Sequence, residues 1–342
     1  MAKLTEYKGL VLATLEITPA EPEHGAEVKF TQSCSGGRAV FLMKVKEYES
    51  GKFTAKYVSP EKAARLDELF PKLNMTNKDT SPLFVVHGFN LQPAGHMSNI
   101  ADKWQRFTDA GLTYYPIPVL WPCDDEGKYA EDQERLSQRA GKELKAMVDA
   151  IPNDLFPRKS VLMHSMGNHV VFNGACGVKD EAGNVIDKAP DVEFENIFLA
   201  AADIPHDVFW ENPWEYGNAW VYKEYRQKVF GQKKQKASNF FKMLKVDESG
   251  KPIGKIYVIY YGWDKALLGS SWAKNSETRI GSVGHKRDGQ DKVRADMKDY
   301  IEDYDMYSNL SYTGGDDDAF KHSYQLEPAA IKFYFSKDIG KP

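Results

Sequence analysis

Apolar and polar positions change rhythm about a quarter of the way along the chain. Over residues 1–60 the pattern is that of β-strands. Residues 9–17 carry Leu10, Val11, Leu12, Leu15 and Ile17, residues 39–48 form a second apolar run, and 53–58 alternate after the turn Ser50-Gly51-Lys52. Residues 61–69 have helical spacing and stop before Pro71. Beyond the polar stretch 74–81, short apolar runs at 83–86, 117–120, 160–163, 197–201 and 256–261 predict strands. Helical segments at 97–110, 126–151 and 168–176 separate the first four of them, and a last helix is expected at 328–336. Strands that alternate with helices require right-handed crossovers, which predicts a mostly parallel sheet with helices on both faces. The expected fold class is therefore α/β: one domain over 1–342, with N-terminal antiparallel strands and a core over 81–336.

One stretch breaks the alternation. Between Asp203 and Lys255 lie some fifty residues where a crossover helix needs about a dozen. Ten aromatics fall in the 33 residues from Phe209 to Phe241, before and after the charged run Gly231–Lys236. They suit either an extra helical layer of core or a cap over a pocket, since ligands of open α/β sheets bind outside the strand C-termini. Residues 205–253 are read as that cap.

Composition narrows the class. With 45 Lys+Arg against 49 Asp+Glu the formal charge is −4, which argues against a dedicated nucleic-acid binder. Hydrophobic residues at 42% and charged residues at 27% belong to a folded chain rather than a disordered one. Cys34, Cys123 and Cys176 are too few and too scattered for a disulfide framework or a zinc cage. No apolar run approaches the ~18 residues of a membrane span, and no signal peptide is visible, so a cytoplasmic location is expected. No Walker loop, no GxGxxG after the first strand and no ligand-spaced His/Cys cluster is present, so no cofactor or metal is expected.

Chemistry in such a sheet is sought after each strand. Ser165, in SVLMHSMGNHVVF, lies between a strand and a helix start, where a nucleophilic serine projects from a sharp turn with the helix dipole behind it. Ser-x-Gly also occurs at Ser35 and Ser282, but without that flanking pattern. A serine capping an ordinary helix is the plainer reading. His87-Gly88-Phe89-Asn90 follows the strand 83–86, and a tight turn there can present the Phe89 N–H as an oxyanion donor beside the Met166 N–H. The plainer reading is a βα turn needing Gly88 only for conformational freedom. Asp264, after the strand 256–261, and Asp203, after 197–202, could each orient a histidine, or Asp264 could merely cap a helix. His322 lies late enough to complete a Ser…Asp…His order.

Oxyanion turn, nucleophile elbow, acid and histidine fall in the order of the alpha/beta hydrolase superfamily, which the chain resembles over 81–336. HGFN, HSMGN, LAAADI-x-x-DVF, YYGWDKALLGSS and the late HSY resemble a bacterial branch of hydrolases of unknown function. The resemblance implies Ser165 as nucleophile, His322 as base and Asp264 as acid, with Asp203 as the alternative. One departure stands out: Met163 occupies a position usually held by Gly or Ala, implying an opened elbow or an unusually small facing residue.

These readings predict a serine hydrolase cleaving a small, partly apolar carboxylic ester. His87, Asn90, His164, Trp210 and Trp263 are expected around the substrate. A thioesterase or acyltransferase using the same triad is the nearest alternative; a hydrolase fold serving as a binding module is the more distant one.

Overall fold

The computed structural model describes residues 6–13, 17–19, 30–32, 39–47 and 53–59, and then 81–89, 114–121, 123, 136–137, 140–141, 144, 148–149, 153, 156, 158–176, 178–179, 185–186, 192–204, 209, 241–262, 264, 267, 281, 284, 293 and 295–306. Its strands are β1 (Glu6–Ala13), β2 (Ile17–Pro19), β3 (Phe30–Gln32), β4 (Ala39–Glu47), β5 (Phe53–Ser59), β6 (Ser81–Val86), β7 (Tyr114–Leu120), β8 (Ser160–His164), β9 (Val178–Lys179), β10 (Val185–Ile186), β11 (Ile197–Ala200), β12 (Ile256–Tyr260) and β13 (Ile301–Asp305). Helix α1 (Gly167–Cys176) follows β8.

Nine of these strands form one sheet in the order β13-β12-β11-β8-β6-β7-β1-β4-β5. From β13 to β7 every neighbour is parallel, which gives a central parallel sheet of six strands. β1 adds in parallel to β7, and β4 and β5 close that side as antiparallel neighbours. Two short hairpins, β2–β3 and β9–β10, stand apart.

The central strands read as unbroken apolar runs because both faces are covered. β7 and β11 are buried along their whole length, and β6, β8 and β12 are buried except at one terminal residue each. Phe198 stacks on Tyr257 with centroids 5.0 Å apart, and Phe84 meets Phe194 edge-on at 6.0 Å. Among the described residues of the expected helix 126–151, Leu136, Ala140, Leu144 and Val148, four residues apart, are buried, as one face of a helix against the core would be.

In the central sheet only β13 escaped the sequence pattern. Its sequence IEDYD buries Ile301 and Tyr304 but leaves Glu302, Asp303 and Asp305 half-exposed at the sheet edge. Charged side chains guard an edge strand against further pairing, and they also hide it from a search for apolar runs.

Polar groups at the entry ends of the strands are bonded to one another. Asn196 accepts from the Val161 N–H at 3.0 Å and the Lys255 N–H at 3.1 Å, and its amide donates to the Tyr114 hydroxyl at 3.3 Å. Glu195 holds Arg158 in a two-pronged ion pair. This end of the sheet is tied down by backbone and side-chain hydrogen bonds.

The expected helices at 61–69, 97–110 and 328–336, and the middle of the expected cap, 210–240, lie outside the described residues. The flanks of that insertion are seated on the core. Phe209 and Phe241 are buried with rings 5.5 Å apart, and Phe194 exchanges backbone hydrogen bonds with Met243 and Lys245 at 2.7 and 2.8 Å.

Candidate active site

Ser165 directly follows β8 and, with Met166, makes the two-residue turn into α1. Its φ is +52°, a left-handed conformation that costs a residue with a Cβ ~1–2 kcal/mol. The surroundings hold it there. The Ser165 N–H donates to Ala200 O at 3.0 Å, which ties the turn to β11. Its carbonyl accepts from the Asn168 N–H at 3.1 Å, the Asn168 side-chain amide at 2.9 Å and the Asp203 N–H at 3.4 Å. The same Asn168 amide donates to Met163 O at 3.2 Å, so this fully buried side chain clamps both ends of the elbow. The sequence offered one clue to Asn168, its place three residues after the serine, but only the fold brings its amide back under the turn.

Two glycines let the elbow close against β6. A Cβ on Gly88 would lie 2.8 Å from the Ser165 Cβ, and one on Gly167 would lie 2.5 Å from His87 O and 2.7 Å from Val86 O. Gly88 is absent from the glycines of positive φ, so space rather than conformational freedom requires it. The plain βα-turn reading is corrected on that point. Met163 is itself fully buried, in register with Val86 on one side and Leu199 on the other. Gly88 lies two register steps beyond the Val86–Met163 pair, and its Cβ position faces Ser165 and His164 rather than Met163.

Met166 is fully buried, and its N–H donates to none of the described residues. With α1 beginning at the next residue, it belongs to the set of unsatisfied donors at a helix start, where the dipole favours negative charge. Phe89 is half-buried at the end of the Gly88 turn, and His164 is half-buried with its Nδ1 3.1 Å from the empty Cβ position of Gly88.

His87 does not project into open space. Its ring is buried and stacks on Trp121 with centroids 5.3 Å apart and planes at 16°. Burial pushes its pKa down from 6.5 to about 4, against the smaller opposing effect of its hydrogen bonds, so it is neutral at physiological pH.

The two candidate acids leave neighbouring strands. Asp203 is buried after β11, and its carbonyl accepts from His169 Nε2 at 2.5 Å. The preceding turn is tight, with Ala201 at φ +45° and Gly281 bonded across to Ala202 O at 3.1 Å. Asp264 is buried after β12, and its Oδ1 accepts from the Leu267 N–H at 3.1 Å, the capping bond anticipated as its plainer role. Strands lie ~4.8 Å apart, so the ends of β8 and β12, two strands away, are separated by roughly 10 Å. Asp203 stands one strand away, with its backbone already tied beneath the serine. Asn90, Trp210, Trp263 and His322 lie outside the described residues. Among the described residues no group of three or more His, Cys, Asp or Glu could share a metal ion, and no helix is long and apolar enough to cross a membrane.

Residues 62–337 match the family described as alpha/beta hydrolase of unknown function, and the chain belongs to that family. No curated protein matches the chain. Among solved structures it is similar to a thermophilic esterase from the planctomycete Thermogutta terrifontis, at 11% identity over 77% of this chain and 85% of that one, with a TM-score of 0.36. It is also similar to a gene product of Listeria innocua, at 12% identity over 77% of this chain and 96% of that one, with a TM-score of 0.32. The likeness is loose, and the chemistry of neither protein transfers with it.

Proposed function

We propose that this alpha/beta hydrolase is a serine esterase that cleaves carboxylic esters through an acyl-enzyme. The observation that carries the reading is Ser165 itself. A serine is held at φ +52° by four hydrogen bonds to its backbone, at a strand-to-helix turn, with a glycine turn pressed against its Cβ. An ordinary helix cap needs neither the strained backbone nor the glycine.

In the proposed reaction Ser165 Oγ attacks the ester carbonyl carbon while its proton passes to His322. The negative oxygen of the tetrahedral intermediate accepts hydrogen bonds from the Met166 and Phe89 N–H groups, and Asp264 steadies the imidazolium. Collapse expels the alkoxide, which takes the proton from His322 and leaves as the alcohol. Water then attacks the acyl-enzyme, gives a proton to His322, and the acid departs as Ser165 recovers its hydrogen. Esters suit the site better than amides because an alkoxide leaves more readily. The aromatic density of the insertion, ten aromatics from Phe209 to Phe241, favours a partly apolar acyl group.

Labelling with a fluorophosphonate followed by peptide mapping tests the nucleophile, and p-nitrophenyl acetate and butyrate test the reaction. Modification at Ser165, with turnover lost in Ser165→Ala and His322→Ala and no further loss in the double variant, is the expected result. Activity should fall at acid pH as the base is protonated. Unchanged turnover in Ser165→Ala would overturn the mechanism; failure across a broad ester and thioester panel would favour a binding module.

A further inference from the structure

We infer that the His87 ring is a positioning residue, which fixes the Gly88–Phe89 peptide so that the Phe89 N–H faces Ser165. This rests on the reading of Ser165 as nucleophile and Phe89 as oxyanion donor, and adds to it the group that sets the donor's direction.

The hydrogen bonds of the ring decide its tautomer. The Trp121 N–H donates to His87 Nε2 at 3.3 Å, so Nε2 carries no proton. The proton of the neutral ring is therefore on Nδ1, which lies 2.8 Å from Gly88 O and donates to it. Trp121 grips the histidine a second time, its indole Nε1–H donating to His87 O at 2.8 Å while the two rings stack. Histidine and tryptophan are thus a unit joining the ends of β6 and β7.

Sheet order turns this into a direction. β6 lies between β7 and β8, and Trp121 follows β7 while Ser165 follows β8. The ring bonded to Trp121 draws the Gly88 carbonyl toward the β7 side. In a trans peptide the carbonyl and the next N–H point opposite ways, and no cis peptide occurs among the described residues. The Phe89 N–H is therefore turned toward β8, where Gly88 already presses on the Ser165 Cβ. A ring serving only as core filling would need the stacking on Trp121 but neither hydrogen bond.

Three substitutions separate the roles. His87→Asn places an amide N–H near the Nδ1 position and keeps the donor to Gly88 O. His87→Gln reaches toward the Nε2 position and keeps the acceptor for Trp121. His87→Phe keeps the stacked ring alone. With p-nitrophenyl acetate, kcat should fall about 10²-fold in His87→Phe and His87→Gln, the effect of losing one oxyanion donor, while KM changes little. His87→Asn should recover most of that loss, and the rate of fluorophosphonate labelling at Ser165 should follow the same ranking. Wild-type kcat in His87→Phe, or equal kcat in His87→Asn and His87→Gln at matched thermal midpoints, would overturn the inference and leave the esterase reading standing. If the wild-type protein is not labelled at Ser165, the esterase reading fails and the positioning role falls with it.

Discussion

Gly88 and Ser165 meet so closely that a Cβ on the glycine would stand 2.8 Å from the Cβ of the serine, closer than real Cβ atoms come. The turn after β6 and the elbow after β8 are therefore one object. The same added carbon would lie 3.1 and 3.2 Å from Nδ1 and O of His164, which leaves little room to retreat.

Gly88→Ala should accordingly keep the fold and lose the chemistry. A displacement of the serine by ~1 Å can reduce turnover by about 10²-fold. Far-ultraviolet circular dichroism and p-nitrophenyl acetate turnover, measured together, check this; an active Gly88→Ala would mean that the turn does not shape the site.

Removing the Ser165 side chain should stabilise the protein when glycine replaces it. At φ +52° glycine is relieved of a strain that alanine retains, so Ser165→Gly should exceed Ser165→Ala by ~1 kcal/mol in unfolding free energy, with both inactive. Urea unfolding of the pair decides it, and equal stabilities would show the elbow to be unstrained.

The acid assignment makes opposite demands on two aspartates. Asp264→Asn keeps an oxygen for the Leu267 N–H and so preserves the cap, yet should reduce kcat by about 10⁴ if the carboxylate orients His322. Asp203→Asn should be much milder, because the hydrogen bonds tying Asp203 to Ser165 and His169 use its backbone. A large loss at Asp203→Asn with Asp264→Asn near wild type would exchange the two roles.

Stability should also fall in acid through His87. Above pH 6.5 the ring is neutral whether folded or not and contributes no pH dependence. Between pH 6.5 and about 4 the unfolded chain takes up a proton that the buried ring refuses, so stability declines as pH drops. The decline from this group approaches ~3 kcal/mol and levels off below pH 4. Urea unfolding at pH 7 and pH 4.5 should show a smaller difference in His87→Phe than in the wild type. Identical differences would place the acid sensitivity elsewhere.

Much of the scaffold was legible along the chain because parallel strands buried on both faces must be continuous apolar runs, and β6, β8, β11 and β12 are such runs. The turn after each run was legible for the same reason: a residue at a strand exit stays at that exit whatever the rest of the chain does. Ser165, Gly88, Asp203 and Asp264 could therefore be placed by their order alone. β13 was hidden by the charges that protect it as an edge. Tertiary structure alone decided the rest, because it depends on distances between residues far apart in sequence. Trp121 meets His87 across 34 positions and fixes which ring nitrogen carries the proton. Asp203 and Ala200 close on Ser165 from another strand and hold a backbone angle that no local pattern reveals. Gly88 is required not by its own conformation but by the serine opposite, and steric exclusion of that kind exists only once β6 and β8 lie side by side.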